Sequence, residues 1–373
     1  MKDMHEISLG EHGGEIRRLA ARMLLDPSDL IDFSSSINPL GPPAAVSKIL
    51  LGSERILAPY PDSACHALRN AIGRRWDVAP EGVLPGNGST ELIFLIARAF
   101  RPATSAIVGP TFSEYERALR LAGSSVTDIG MDIARDFQWA PSRRDCDILQ
   151  RSRLCFICNP NNPSGTVLPK DALQRVIAQF PKTLFVIDEA FVDFLQDPQS
   201  ISMVNESQRQ SNLIVLRSTT KFFSIAGLRL GYAVALPSLI RVLEHHKEPW
   251  SVNALAQAVG EGLLDEKEFA AKTRDWLLAE REWLMGELKG RTGLMPLPSQ
   301  VNYLLLKITH KAITSGILFR ELLKRRVVIR DASNFRGLNT SFIRVAIRMR
   351  PQNEILLRSL DEVLEACREE LLA

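Results

Sequence analysis

Four short segments carry residues that could act together on one anionic, ring-shaped ligand. Gly86-Asn-Gly-Ser-Thr-Glu91 leads two glycines into an amphipathic stretch. Such a turn aims backbone N–H groups, and the positive end of a helix, at an anion. The helix is expected to start near Thr90, with Ser89 as a cap. Asn159-Pro-Asn-Asn-Pro-Ser-Gly165 follows an apolar run and makes a rigid turn able to aim an amide. Asp188-Glu-Ala-Phe191 closes a second apolar run, and a carboxylate buried there needs a cationic partner. Ser218-Thr-Thr-Lys221, followed by Gly227-Leu-Arg229, sets a lysine among hydroxyls with an arginine close by. An amine so placed can form a Schiff base with an aldehyde, while Ser218 and Arg229 can grip a phosphate. Alone, each segment has an ordinary explanation: a capped helix, an Asx turn, a structural salt bridge, a surface lysine. In this order, at successive strand ends, one phosphorylated pyridine aldehyde accounts for all four. That molecule is pyridoxal 5′-phosphate (PLP), whose protonated ring nitrogen would pair with Asp188.

The elements needed to hold these segments are legible. Ser105–Gly109, Leu154–Cys158, Leu184–Asp188 and Leu213–Arg217 are short and apolar on both faces, as in a parallel sheet covered on both sides. Amphipathic stretches at 91–100, 113–122 and 169–180 alternate with them, the last with Pro169 in its first turn. Ligands of such open α/β sheets bind at the carboxyl ends of the strands. After Pro249 the pattern changes to a long helical region, 251–289. Strands at 301–307, 326–330 and 342–347 and helices at 315–324 and 351–372 follow. This predicts an arm (1–40), a large α/β domain (41–265) and a smaller α+β domain (266–373).

Composition narrows the class. The chain has 373 residues, 45% of them hydrophobic and 24% charged, with a formal net charge of +3, ordinary values for a soluble globular protein. No basic cluster favours nucleic acid, no apolar run is long enough for a membrane span, and Met1–Gly14 does not read as a secretory signal. Five cysteines, an odd number, disfavour a disulfide framework and point to the cytoplasm. Cys155 and Cys158 form a C-x-x-C, but in a strand an offset of three sends them to opposite faces. No spaced histidines complete a metal site, so none is expected.

The ordered set GNGSTE, NPNNPSG, DEAF, STTK and GLRLGY resembles the class I/II aminotransferases of fold type I, and within them the histidinol-phosphate aminotransferase branch. The resemblance covers essentially the whole chain. It implies a large domain with a mostly parallel seven-stranded sheet, a small C-terminal α+β domain, and a homodimer with shared active sites. It also implies that Lys221 links to the PLP aldehyde, Asp188 pairs with the ring nitrogen, Asn162 meets the ring oxygen and Phe112 stacks on the ring. Gly88, Ser89, Thr90, Ser218 and Arg229 would hold the cofactor phosphate, with Tyr60 reaching the phosphate of the neighbouring subunit's cofactor. Arg344 matches the arginine that binds the substrate carboxylate. Many members have Asp-Glu-Ala-Tyr; Phe191 here lacks that phenol.

Finer features, His12-Gly-Gly, Ile37-Asn-Pro-Leu-Gly41, Asp188-Glu-Ala-Phe-Val-Asp-Phe194 and Pro249-Trp-Ser-Val-Asn253, are similar to the L-threonine-O-3-phosphate decarboxylases. The implied substrate is a small phosphorylated amino acid, held by His12, Asn38, Arg330 and Arg344. Three other functions remain open at this point: a histidinol-phosphate-type aminotransferase, an L-serine O-phosphate decarboxylase, and an inactive PLP-sensing scaffold.

Overall fold

The computed structural model describes residues 13–372. Its strands, in chain order, are β1 (Ile31–Asp32), β2 (Val83–Gly86), β3 (Thr104–Gly109), β4 (Ser125–Gly130), β5 (Leu154–Cys158), β6 (Leu184–Asp188), β7 (Leu213–Ser218), β8 (Gly231–Ala235), β9 (Leu294–Pro296), β10 (Tyr303–Ile308), β11 (Val327–Val328), β12 (Arg330–Asp331) and β13 (Phe342–Ala346). The chain divides into two compact units, one comprising Leu40–Asn162 with Thr166–Arg274, the other Met1–Pro39, Pro163–Gly165 and Asp275–Ala373.

The first unit is built on a seven-stranded sheet in the order β2-β8-β7-β6-β5-β3-β4. Its central strands are parallel, and β8 runs antiparallel to both its neighbours. Every residue of β5, β7 and β8 is buried, which is why these runs are apolar without alternation. One core cluster holds Cys155, the other Cys158, so the two thiols do face opposite sides of the sheet. Burial pushes the Cys158 thiol up to about 12, an inert group. The parallel strands bring the ends of β2, β3, β5, β6 and β7 to one edge.

Three local expectations need correction. The helix after β2 begins at Gly88, not Thr90, with Asn87 at its N-cap and no side-chain cap. Gly88 has φ +80°, so the turn closes before Ser89 can cap it, and the Glu91 carboxylate instead accepts the Asn87 N–H at 2.6 Å. Pro169 stands at the N-cap of the helix Lys170–Gln179, one position ahead of its first turn. The region 251–289 is two helices, Ala254–Leu263 and Lys267–Lys289. The Asp265 carbonyl accepts the Lys267 N–H at 2.7 Å, and acidic residues there suit a new helix N-terminus.

The second unit contains an antiparallel sheet in the order β12-β13-β10-β9 and a two-stranded parallel pair, β1 with β11. The expected strand 326–330 is split because the chain changes partner at Ile329: Val327 and Val328 pair with β1, Arg330 and Asp331 with β13. Among the described residues no helix is long and apolar enough to cross a membrane.

Candidate active site

Asp188 is the last residue of β6, in register with Cys158 of β5 and Leu216 of β7. It is 3% exposed. Its carboxylate accepts the Tyr115 hydroxyl at 2.7 Å and the Ala190 N–H at 3.0 Å. Burial pushes its pKa up, against the lowering effects of the Tyr115 donor and the Lys221 charge. A carboxylate whose charge is only partly compensated is a receptor for a cation. Tyr115 is itself fully buried, stacked on Phe156 with centroids 4.8 Å apart and edge-on to Phe112 at 5.7 Å. The phenol therefore cannot swing away, and it fixes one carboxylate oxygen.

Lys221 follows β7 by three residues. Its Nζ lies 5.1 Å from the centre of the Phe191 ring, an apolar and weakly cation-stabilising neighbour. Behind it, on β7, Arg217 is almost fully buried and bonds Glu189 at 2.8 Å and Asp193 at 2.6 Å while lying 4.4 Å over the Trp76 ring. The second acid of Asp188-Glu189 thus braces the strand that precedes the lysine.

The anion cradle is formed by β2, β8 and β7 in register. Gly86, Gly231 and Ser218 occupy one row. A Cβ at Gly231 would come within 2.6 Å of the Ser89 nitrogen, so only glycine lets β8 approach the helix start. Gly88, Ser89 and Thr90 form the first turn, whose N–H groups lack intrahelical partners. A Cβ at Gly88 would sit 2.5 Å from the Arg229 guanidinium, which places that exposed cation at the same helix end. The Ser218 hydroxyl is 2.8 Å from that of Thr220.

Asn159 and Asn161 are structural. Asn159 exchanges hydrogen bonds with the Leu168 backbone at 3.1 and 2.8 Å, and Asn161 donates to the Pro110 carbonyl at 3.0 Å. Those bonds hold the turn from which Asn162, largely buried, projects.

The structure thus brings Asp188, Lys221, Ser218, Arg229, Gly88, Ser89, Thr90, Phe112 and Asn162 into the first unit, at the carboxyl edge of its sheet. Tyr60 is in the same unit but is 82% exposed, against Trp250 at 5.1 Å. Asn38, Arg330 and Arg344 belong to the second unit. There Arg330 and Arg344 are register partners on β12 and β13, and Arg344 donates to the Ser34 carbonyl at 2.9 Å. Burial and the Arg344 charge push the Arg330 pKa down to about 10. Two guanidinium groups so close invite an anion. His12 lies outside the described residues. Its neighbour Gly13 packs on Ser34, where a Cβ would meet the carbonyl oxygen at 2.1 Å, and Gly14 N–H bonds the Ser34 hydroxyl at 2.9 Å. Sequence reasoning missed Tyr115 and Arg217. Tyr115, three residues after Phe112, reads as an ordinary core residue of an amphipathic helix, and Arg217 as an interruption of a strand.

The family model for "Aminotransferase class I and II" matches residues 28–360. The chain belongs to the class I/II aminotransferase family. Among relatives of this aminotransferase-family chain, the threonine-phosphate decarboxylase of Salmonella typhimurium is 37% identical, with 95% of this chain and 96% of that enzyme covered. The histidinol-phosphate aminotransferase of Moorella thermoacetica is 35% identical, covering 91% and 87%. The crystal structure of L-threonine-O-3-phosphate decarboxylase from Porphyromonas gingivalis superposes with a TM-score of 0.80 at 28% identity, covering 89% of this chain and 99% of that one.

The cofactor of this family member is PLP, and the residues present fit it. A buried acid awaits a protonated ring nitrogen, a lysine stands on the next strand's end, and a glycine-shaped helix start with an arginine awaits a phosphate. Among the described residues no group of side chains could hold a metal ion. Gly88→Ala tests the phosphate cradle. It introduces both a strained φ, costing ~1–2 kcal/mol, and a collision with Arg229. Titration of PLP into the cofactor-free variant, followed by fluorescence, will show affinity at least ~10-fold weaker; unchanged affinity would place the phosphate elsewhere.

Proposed function

We propose that this chain decarboxylates L-threonine O-3-phosphate to (R)-1-amino-2-propanol O-2-phosphate, a building block of cobalamin, as a cytoplasmic homodimer. The observation that carries the choice of reaction is the end-to-end likeness to the Salmonella decarboxylase, supported at the site by Phe191 beneath Lys221, a position without a hydroxyl to bond the cofactor's ring oxygen.

When bound, PLP supplies an electron-poor ring that accepts the electrons of a bond broken at the substrate Cα. Asp188 keeps a proton on the ring nitrogen, and Tyr115 holds Asp188 in place. Gly88, Ser89, Thr90, Ser218 and Arg229 would bind the cofactor phosphate, Phe112 would cover the ring face and Asn162 would bond the ring oxygen. Arg344, Arg330, Asn38 and His12 bind the substrate's carboxylate and phosphate. By gripping these remote groups they orient the Cα–carboxylate bond for cleavage. Lys221 Nζ returns a proton to Cα. Tyr60, exposed on the single chain, serves the cofactor phosphate of a second copy.

The aminotransferase reading, favoured by the Moorella relative, uses the same residues but has Lys221 remove the Cα proton. One assay separates the two. Threonine phosphate supplied without any 2-oxo acid will yield CO2 continuously. Dependence on 2-oxoglutarate, with glutamate formed, would establish transamination instead. Serine phosphate in the same assay reads the value of one methyl group, about 1–3 kcal/mol in a fitted pocket. The retention of Lys221 and Asp188 argues against an inactive PLP-sensing scaffold.

A further inference from the structure

Arg348 has no role in the reading above. It lies two residues beyond β13, where the chain stays extended: the Ile347 N–H bonds the Asn302 carbonyl at 2.9 Å. Alternation along an extended segment puts residue 348 on the same face as Arg344. The backbone there is clamped from both sides by the buried Asn353 side chain, which accepts the Arg348 N–H at 3.0 Å and donates to its carbonyl at 2.7 Å. Asn353 is in turn held by Glu280 at 2.9 Å. A long cationic side chain is thus mounted on a rigid base.

Its Nε is buried and has no hydrogen-bond partner. No carboxylate lies within ion-pair distance among the described residues. Asp32 is the acid whose charge it feels, as does Arg344. The Asp32 carboxylate, however, is already committed to the Ser34 N–H and hydroxyl and the Ser35 hydroxyl, at 2.8, 2.6 and 2.5 Å. Leaving a buried N–H of a guanidinium group without an acceptor is costly. A structural arginine would close on its acid; this one does not.

A phosphoamino acid supplies the missing partner. Its phosphate carries about two negative charges at neutral pH, and a group of that charge accepts hydrogen bonds from more than one guanidinium. We propose that Arg348 is a third substrate-binding arginine, which takes the phosphate and sets the preference for a phosphorylated over a plain amino acid. This rests on the decarboxylase reading for the identity of the substrate, not for the existence of an anion site.

The test uses the PLP-loaded protein with Arg348→Gln and Arg348→Lys. Inorganic phosphate binding is measured by calorimetry, KM and kcat with threonine phosphate, and Tm without ligand. The glutamine variant will bind phosphate about 10- to 100-fold more weakly, the loss expected for a charged hydrogen bond, and its KM will rise more than its kcat falls. The lysine variant will recover part of the affinity. Phosphate affinity within twofold of wild type overturns the proposal, and a fall in Tm with that unchanged affinity identifies Arg348 as a brace for the Asp32 turn. If the wild type releases no CO2 from threonine phosphate yet the glutamine variant still loses phosphate affinity, the substrate reading fails and the anion site stands.

Discussion

Lys221→Ala will abolish turnover of threonine phosphate, leaving less than about one thousandth of the wild-type rate, the scale seen when a covalent catalytic group is lost. Among the described residues Lys221 is the one lysine at the end of a central strand of the sheet, three residues past β7 and beside the Phe191 ring. In the proposed mechanism two roles fall on the same amine, joining the cofactor aldehyde and moving a proton at Cα, so no neighbour could replace it. The hydroxyls of Ser218 and Thr220 are bonded to each other and are far weaker bases. Borohydride reduction of the wild type followed by peptide mapping will find the cofactor on Lys221; a label on another lysine, or none, would remove the foundation of the mechanism.

The second large effect is that of Asp188→Asn, and it has opposite signs in two measurements. Activity will fall by ~10²–10³-fold or more, because a neutral amide no longer holds the ring nitrogen's proton where negative charge develops. The cofactor-free protein, by contrast, will become more stable. Burial raises the folded-state pKa of Asp188, so the stability present below the ordinary carboxyl pKa is lost as pH rises through the folded value. Tyr115 and Lys221 offset this only in part. Below about pH 4 the two proteins carry the same neutral group and will match. At pH 8 the asparagine variant will be ahead by about 1–3 kcal/mol in urea unfolding. A gap that is absent, or reversed, at pH 8 would mean that Asp188 already has its counter-charge within the protein.

Much of this was legible in the residues themselves. The strands β3, β5, β6 and β7 are marked by runs with no polar face, and the proposed catalytic pair sits where those runs stop. The weaker strands carry no such mark. β2 contains Pro85 and Gly86, and β4, at the sheet's edge, alternates exposed and partly buried residues, so neither declares itself without its neighbours. The helix start at Gly88 was misjudged because a positive φ is invisible in a sequence that merely permits it. Tyr115 and Arg348 were missed for a shared reason. What matters in each is a tertiary partner, or the want of one: a carboxylate 73 positions away for the tyrosine, an orphaned nitrogen for the arginine. Local pattern carries neither.

The parallel pairing of β1 with β11 joins Ile31 to Val327 and Asp32 to Val328. A ribosome delivers the Asp32–Ser35 turn before the seven-stranded sheet, yet the strand it must lie beside emerges only after that sheet. During synthesis this segment has no docking place while the seven-stranded unit, whose strands lie between positions 83 and 235, can already assemble. Substrate recognition, as proposed for Arg344 and its Ser34 acceptor, would therefore be acquired only after the sheet, so that nascent chains arrested before β11 would lack it even with the sheet complete.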